Sequence, residues 1–417
     1  MECPECGARV PVVTGYPNWC ECGWNLERPP VARRPGGRFA RFAAHLGRSS
    51  GERMAARLRD AQELRAGRTP AKVLAYAVAA GVHVFTLALF VGGIAAVVTE
   101  FPEPFSILFG LAMVCAAGLM RPRVPGMPDG ELLDPAAAPT LHALAGKVAS
   151  ALDRPPPSAI VADARWNASL AVVGWRRRRV LVVGVPLLAA LGPDERVAML
   201  AHEVGHDRNG DATRGLFVGS AVDGLDALAA ALRPPRRAAA FEELGAVEWL
   251  AGALTWVLTR PVDAVLWLEA RLLLRDMQRA EYLADAAAAR VGGSAAAIAL
   301  HERVLLHPTF QHAVQQAAIE NDARGTLSRV RAALDAVPAR ERDRRRRVAR
   351  LKHARLEDSH PPTGMRIALL EDRAPHPPMV TLTLFESERI DAELAPLEAA
   401  IGRALVDRYR AALHGHR

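Results

Sequence analysis

The chain has 417 residues, half of them hydrophobic, with a mean hydropathy of +0.06 and a formal net charge of +8. That length holds one large domain or two smaller ones, and that hydropathy argues against a purely soluble enzyme and for a membrane portion. The positive charge is almost all arginine, with lysine only at Lys72, Lys147 and Lys352; with the abundant alanine this reads as coding bias, and it allows an anionic membrane surface or nucleic acid as partner.

Four of the five cysteines fall in the first 22 residues, Cys3 and Cys6 in "CPEC" and Cys20 and Cys22 in "CEC", each pair followed by glycine. Such knuckles suit tetrahedral thiolate coordination of a structural zinc, and residues 1–28 are expected to form a zinc ribbon. Two disulfides are the weaker reading, because no signal peptide precedes them. Thiolate zinc needs a reducing compartment, so the N-terminus is expected to face the cytosol. Cys115, alone in an apolar run, reads as a small buried hydrophobe.

Residues 29–72 read as a basic linker. Its "RFARFAAHL" could lie as an amphipathic helix on a membrane or form a solvated arm. The uncharged Val73–Val98 exceeds the roughly 20 residues that span a bilayer. His83 within it should find a partner on a neighbouring helix. After the acidic turn "TEFPEP", the apolar run Phe105–Met120 returns. Arginines flank both outer ends of this hairpin, and the turn carries only Glu100 and Glu103. The positive-inside rule then puts both flanks in the cytosol, in agreement with the cysteines.

Past the hairpin, "APTLHALAGKVASAL" places Leu141, Leu144, Val148 and Leu152 at helical spacing. "SAIVAD", "ASLAVVG" and "RRVLVVG" read as short strands, the last two joined by a turn near Gly174 whose Arg176–Arg179 form a solvated tip. Gly215–Leu232 is apolar but holds Asp223 and Asp226; each costs about 2.5–3.5 kcal/mol at a span centre, against about 0.3–0.6 returned per leucine or valine, which argues against spanning. Val247–Leu274 is interrupted by Arg260, Pro261 and Asp263 and carries Trp249, Trp256 and Trp267, which favour a bilayer interface. These two segments read as helices touching the membrane or buried in a core. The arginine-rich Ala339–Arg355 reads as a solvated helix. "VTLTLF" reads as a short strand before a closing helix from about Glu386.

Between these elements lies "AHEVGHDRNGD", Ala201–Asp211. Gly192 can cap a helix here, Pro193 fits its first turn, Asp194 and Glu195 suit its positive end, and Asn209-Gly210 can end it. Val197, Leu200, Ala201 and Val204 supply its apolar face. His202 and His206 then lie one turn apart on one face and can share a metal ion, with Glu203 beside them as a general base that takes a proton from the attacking water. A third ligand must come from elsewhere. "RDMQRAEYLADAAAARVGG" reads as a separate polar helix capped by Gly292, with Glu281 and Asp285 on one face; Glu281 could bind the ion, and Asp285 could orient a ligating histidine.

"HEVGHDRNGD" followed by "EYLAD" resembles the HtpX-like membrane zinc metallopeptidases, a gluzincin group that includes the type I CAAX prenyl proteases. The resemblance extends to "NASLAVVG" and "SHPPTGMRI" and covers most of Pro139–Ile367, with the motifs in the family's order. It implies Glu281 as third ligand and Asp285 as its supporting partner. It also matches His360 and Arg366, with His360 as donor to the oxyanion and Arg366 behind it. Asn167 and Ala168 open a strand to which an extended substrate could add. The zinc ribbon is an addition to the simplest members, and the weaker hydrophobicity after Gly210 leaves two or four spans open.

The expected fold is α+β, mainly helical: 1–28 zinc ribbon, 29–72 basic linker, 73–121 transmembrane hairpin and 122–417 gluzincin-type peptidase domain with a small β-sheet. The expected function is a multi-pass membrane zinc endopeptidase with a cytosolic site, one catalytic and one structural zinc, and unfolded or membrane polypeptides as substrates. The resemblance implies membrane-protein quality control as a setting. Two rivals stand beside it. An intramembrane protease also uses HExxH, but Asp194, Glu195 and Arg196 do not suit lipid and Glu281 would have no role. A non-enzymatic zinc-stabilised scaffold could use the ribbon and the arginines, although the ribbon lacks the aromatic and basic surface that nucleic acid needs.

Overall fold

The computed structural model describes residues 1–26, 51–59, 67, 69–210, 215–233, 246–352 and 360–414. The "RFARFAAHL" segment lies outside the described residues. So do Lys352's successors His353–Arg355 and the Ser359 that opens the late His-Pro motif.

Two apolar helices form the expected hairpin, α1 (Pro70–Thr99) and α2 (Pro104–Met120). Thr69 caps α1 through its side chain and Glu103 caps α2. The helices touch at a glycine pair: a Cβ on Gly93 would meet the Gly110 carbonyl at 2.6 Å, and one on Gly110 would meet the Gly93 carbonyl at the same distance. Small residues permit this close backbone approach. His83 donates from Nε2 to the Phe217 carbonyl at 3.0 Å, the helix partner expected of it. Cys115 corrects the sequence reading, for it is exposed rather than buried. Only one face of α2 is covered in a two-helix hairpin, and Cys115 is on the other.

The sheet holds β1 (Glu131–Leu133), β2 (Ala159–Asp163), β3 (Ala168–Val173) and β4 (Arg178–Gly184) in the order β1-β2-β4-β3. β2 and β4 run parallel, and the outer pairs are antiparallel. The three expected strands are present; β1 is too short for its pattern to be read. α3 (Pro139–Ala151) covers one face, with Leu141, Leu144, Val148 and Leu152 all buried as their spacing required. Each buried leucine contributes about 1.5–3 kcal/mol. α4 (Val185–Ala190) follows β4 directly and leads into α5 (Pro193–Arg208), the helix of the HExxH motif.

Helix α6 (Ser220–Leu232) packs on the end of the hairpin: a Cβ on Gly224 would meet the Met120 carbonyl at 2.7 Å. By length and composition, Pro70–Thr99 and Gly215–Leu232 are apolar enough to cross a membrane, and Pro104–Met120 is shorter. The aspartate cost therefore does not remove Gly215–Leu232 from the possible spans, because its remaining residues are almost all apolar.

The largest departure is α7, one continuous 47-residue helix from Ala246 to Gly292. Neither Pro261 nor the charges near it break it. Asp263 takes Arg260 at 2.9 Å and also Arg233, and Arg260 lies over the Trp256 ring at 5.2 Å, so the charges are neutralised along the helix surface. The "RDMQRAEYLAD" segment is the C-terminal part of this helix, not a separate one. Gly293, at φ 92, ends it.

Helices α8 (Ser294–Val304), α9 (His307–Glu320), α10 (Thr326–Asp335), α11 (Ala339–Leu351), α12 (Thr363–Glu371), α13 (Leu384–Leu394) and α14 (Glu398–His414) complete the body. "VTLTLF" is not a strand. Thr383 instead caps α13, in a reciprocal box with Glu386, and T-x-x-E capping outweighs the β-propensity of so short a run.

Helix α11 is not simply solvated. Glu341 is buried and bonds Arg344 and Arg345, while Arg346 pairs with Glu302 at 2.8 Å and with Glu371. Arg340 and Arg347 sandwich Trp19 at 4.4 and 5.1 Å, and Arg344 donates to the Leu26 carbonyl at 2.8 Å. The basic run is thus the surface on which the N-terminal module docks. Part of the linker docks as well. Residues 51–59 are helical, and Met54 and Leu58 pack on Tyr282 and Leu369.

Candidate active site

The two helices that carry the motifs cross at close range. Gly205, the spacer inside HExxH, faces α7: a Cβ there would lie 3.0 Å from the Ala287 Cβ and 3.1 Å from the Ala284 Cα. Alanine-rich α7 and glycine at this point let the backbones approach, and this brings Glu281 to the histidines. The Nε2 atoms of His202 and His206 are 3.3 Å apart. Glu281 Oε2 is 3.6 Å from His202 Nε2, and Glu281 Oε1 is 3.6 Å from His206 Nε2. All three ligand atoms lie within 4.8 Å of one another.

This donor set fits a metal ion. Two imidazole nitrogens facing each other, with a carboxylate closing the triangle, is the arrangement of a gluzincin zinc centre. The buried Glu281 Oε2 accepts no hydrogen bond, although Arg366 Nη1 is 3.0 Å away. The guanidinium offsets its charge, and the unbonded lone pair suits an ion.

The surrounding shell fixes these groups. His202 Nδ1 meets Asp285 Oδ1 at 3.1 Å, a contact that can orient the imidazole. Arg366, from α12, grips Asp285 with two nitrogens, Nε to Oδ2 at 2.8 Å and Nη2 to Oδ1 at 2.6 Å. Its Nη1 also reaches Glu281 at 3.0 Å, so its charge is paired with two carboxylates. Burial opposes ionisation of Asp285, yet Arg366 and His301 hold its carboxyl well below the usual range. Glu281 is likewise lowered against its burial, chiefly by Arg366.

His301 was not foreseen. It is buried on α8 and bonds Asp285 Oδ1 at 2.9 Å, and burial pushes its pKa down. In the sequence it is a single histidine among alanines, with no spacing to mark it. Asp207 was also missed. Buried directly after the motif, it takes Arg154 at 2.7 Å and Arg179 at 2.8 Å and so ties α5 to β4. Arg196, counted against burial in lipid, is buried within protein, bonded to Ser387 and to Asp391 at 2.6 Å.

A cleft of about 590 Å³ opens over the cluster. Glu203, His202, His206, Glu281, His360 and Arg366 line it, with Asn167, Ala168, Ser169 and Leu170 of the β3 region along one side. Among the described residues β3 is an outer strand of the sheet, paired with β4 alone. Burial raises the pKa of Glu203 against the pull of the two histidines. His360 is largely exposed, with Nδ1 at 2.7 Å from Glu281 Oε1.

The N-terminal cysteines form a second cluster. Cys3 and Cys22 sulfurs are 3.7 Å apart, Cys6 and Cys20 sulfurs 3.5 Å, and all four lie within 4.8 Å with no disulfide. Gly7 and Gly23, each just after a knuckle, take positive φ of 74° and 104°. Four thiols converging on one point fit a tetrahedral metal site.

The model of peptidase family M48 matches residues 135–374, more than half of the chain. The chain belongs to peptidase family M48. The matched span begins before α3 and ends after α12, so it contains both ligand helices, strands β2 to β4 and Arg366. No curated protein matches the chain. Family membership makes the chain a metallopeptidase, and the His202–His206–Glu281 cluster within the matched span could hold a metal ion.

Proposed function

We propose that this chain is an HtpX-like, membrane-anchored zinc endopeptidase, with the ion held by His202, His206 and Glu281. The observation that carries this reading is the closed triangle of two imidazoles and a carboxylate, at the floor of a cleft edged by an outer strand. Zinc, when bound, supplies a Lewis acid that makes water nucleophilic near neutral pH and polarises the scissile carbonyl.

The chain's own residues do the rest. Glu203 takes the proton from the attacking water and returns it to the leaving amine nitrogen. Burial, which disfavours its charged form, makes it a stronger base for that proton. Asp285 holds His202 through Nδ1, while Arg366 and His301 hold Asp285. The backbone from Asn167 through Leu170 receives an extended polypeptide as an added strand, which favours unfolded segments over folded ones. His360, at the cleft wall, donates to the developing oxyanion.

The hairpin anchors the enzyme, with its arginine-bearing flanks and the cleft on the cytosolic side. The exposed Trp256 and Trp267 of α7, each under an arginine, fit the bilayer interface. The cysteine module is a structural zinc ribbon docked on α11. Quality control of membrane proteins is the role that this combination suits.

The test compares full-length wild type with Glu203→Gln in detergent, on an unfolded protein substrate. Wild type is expected to cut, and the variant to lose about 10²–10⁴-fold while keeping its zinc. Equal cutting by both would overturn Glu203 as the base; no cutting by either, with zinc only at the cysteines, would favour a scaffold.

A further inference from the structure

A second cavity, of about 910 Å³, lies away from the catalytic cleft, between the hairpin and the β3–β4 turn. Its inner wall is apolar, formed by Leu87 and Phe90 of α1, Val114 of α2 and Phe217. Leu87 and Phe90 are exposed on the outer surface of the hairpin, so the cavity is continuous with the face that would meet lipid tails. At its rim stand Arg121 and Arg123, immediately after α2 ends, and Arg177 from the turn. No acidic residue lines it among the described residues. Arg179 is spent on Asp207, but no carboxylate pairs with Arg121, Arg123 or Arg177 among the described residues. Trp175, at 89% exposure, sits beside them at the tip of the turn.

The order along the chain matters here. The apolar wall is at the depth of the spans, and the arginines begin where α2 leaves them. That is the profile of one phospholipid in the cytosolic leaflet, with tail along the spans and phosphate at the helix end. This leaflet carries the anionic lipids, and arginines close to its surface attract them. Tryptophan at the same level is the usual interfacial anchor.

We propose that this cavity binds one anionic glycerophospholipid, its acyl chain against Leu87, Phe90 and Val114 and its phosphate on Arg121, Arg123 and Arg177. The inference rests on the reading of Pro70–Met120 as a membrane hairpin. Its consequence reaches the enzyme: β3 runs from this cavity, at Gly174 and Trp175, to the catalytic cleft, at Asn167 to Leu170. A bound headgroup thereby holds the far end of the substrate-binding strand at the bilayer surface.

The experiment is native mass spectrometry of the full-length chain in detergent, with equal amounts of phosphatidylglycerol and phosphatidylcholine. Wild type is expected to retain one phosphatidylglycerol in preference to phosphatidylcholine. The triple variant Arg121→Gln, Arg123→Gln, Arg177→Gln should retain it about tenfold less or worse. Gly118→Phe tests the tail independently. Gly118 lines the cavity, and a Cβ there meets nothing within 4 Å, so the ring enters open space and should exclude the lipid without unfolding the chain. Equal retention of both lipids, or retention unchanged in either variant, overturns the site. So does a polypeptide found in place of lipid. Release of the chain from membranes without detergent would instead overturn the anchoring, and the lipid site with it.

Discussion

His202, His206 and Glu281 hang from two long helices inside the main core, whereas Cys3, Cys6, Cys20 and Cys22 hang from turns with almost no core of their own. Around the first cluster, Asp285, Arg366 and His301 are buried and bonded to one another, so the ligands are held by protein. Around the second, only Val10 and Trp24 pack with the sulfurs. So small a module does not bury enough apolar surface to fold unaided. In the first the fold prepares a place for a metal to act as reagent; in the second the metal would be the fold.

That contrast can be broken or sharpened by substitution. The largest effect is expected from Cys20→Ser. Structural zinc in such modules is worth about 10–16 kcal/mol, so residues 1–26 should unfold and become open to proteolysis. Zinc content should fall by one ion per chain, with the ion at His202, His206 and Glu281 retained. If residues 1–26 stay protected, the contrast is wrong.

Arg366→Ala comes next. It strands Glu281 and Asp285 as buried charges, at a cost of about 3–5 kcal/mol, visible as a lower melting temperature of the catalytic body. Arg366→Lys should recover part of this, since it restores the charge but not the two-pronged grip.

Asp285→Asn is expected to weaken zinc at the catalytic cluster by about 10–100-fold in a chelator competition, leaving the cysteine site unchanged. A uniform loss at both sites would mean general destabilisation rather than a lost orienting bond.

Trp19→Ala should loosen docking on α11 by about 0.5–2 kcal/mol. Faster hydrogen exchange in residues 1–26, with thiolate zinc intact, would separate docking from folding.

The smallest effect concerns pH. Burial pushes the Glu341 carboxyl up, but its bonds to Arg344 and Arg345 prevail and hold it below its ordinary value of 4.5. A folded pKa below the unfolded one gives stability that is present above the unfolded value and lost as pH falls through the folded one. Wild type should therefore lose melting temperature, as pH falls below 4.5, more steeply than Glu341→Gln.

Much of the site was legible because its chemistry is local. HExxH puts two histidines one turn apart on any helix, and E-x-x-x-D does the same for Glu281 and Asp285. The apolar stripe of α3 and the caps of α5 follow from spacing and end residues. What stayed hidden depended on partners distant in sequence. His301 has meaning only once α8 folds back onto Asp285. Asp207 has it only when Arg154 and Arg179 arrive. Arg366 could be matched to a motif, but its hold on Asp285 and Glu281 is a fact of packing.

The same division runs through the whole chain. Sequence alone determined the hairpin, the three main strands, the HExxH helix and the two clusters of metal-binding residue types, because periodicity, end-capping and ligand spacing act over one or two turns. Tertiary structure decided that α7 runs unbroken through Pro261, with Arg233 reaching Asp263 from outside the helix. It decided that the arginines of α11 receive Trp19 rather than water. It also decided that Glu281 meets the histidines, because only the crossing of α5 and α7 at Gly205 brings carboxylate and imidazoles, far apart in the chain, to one point.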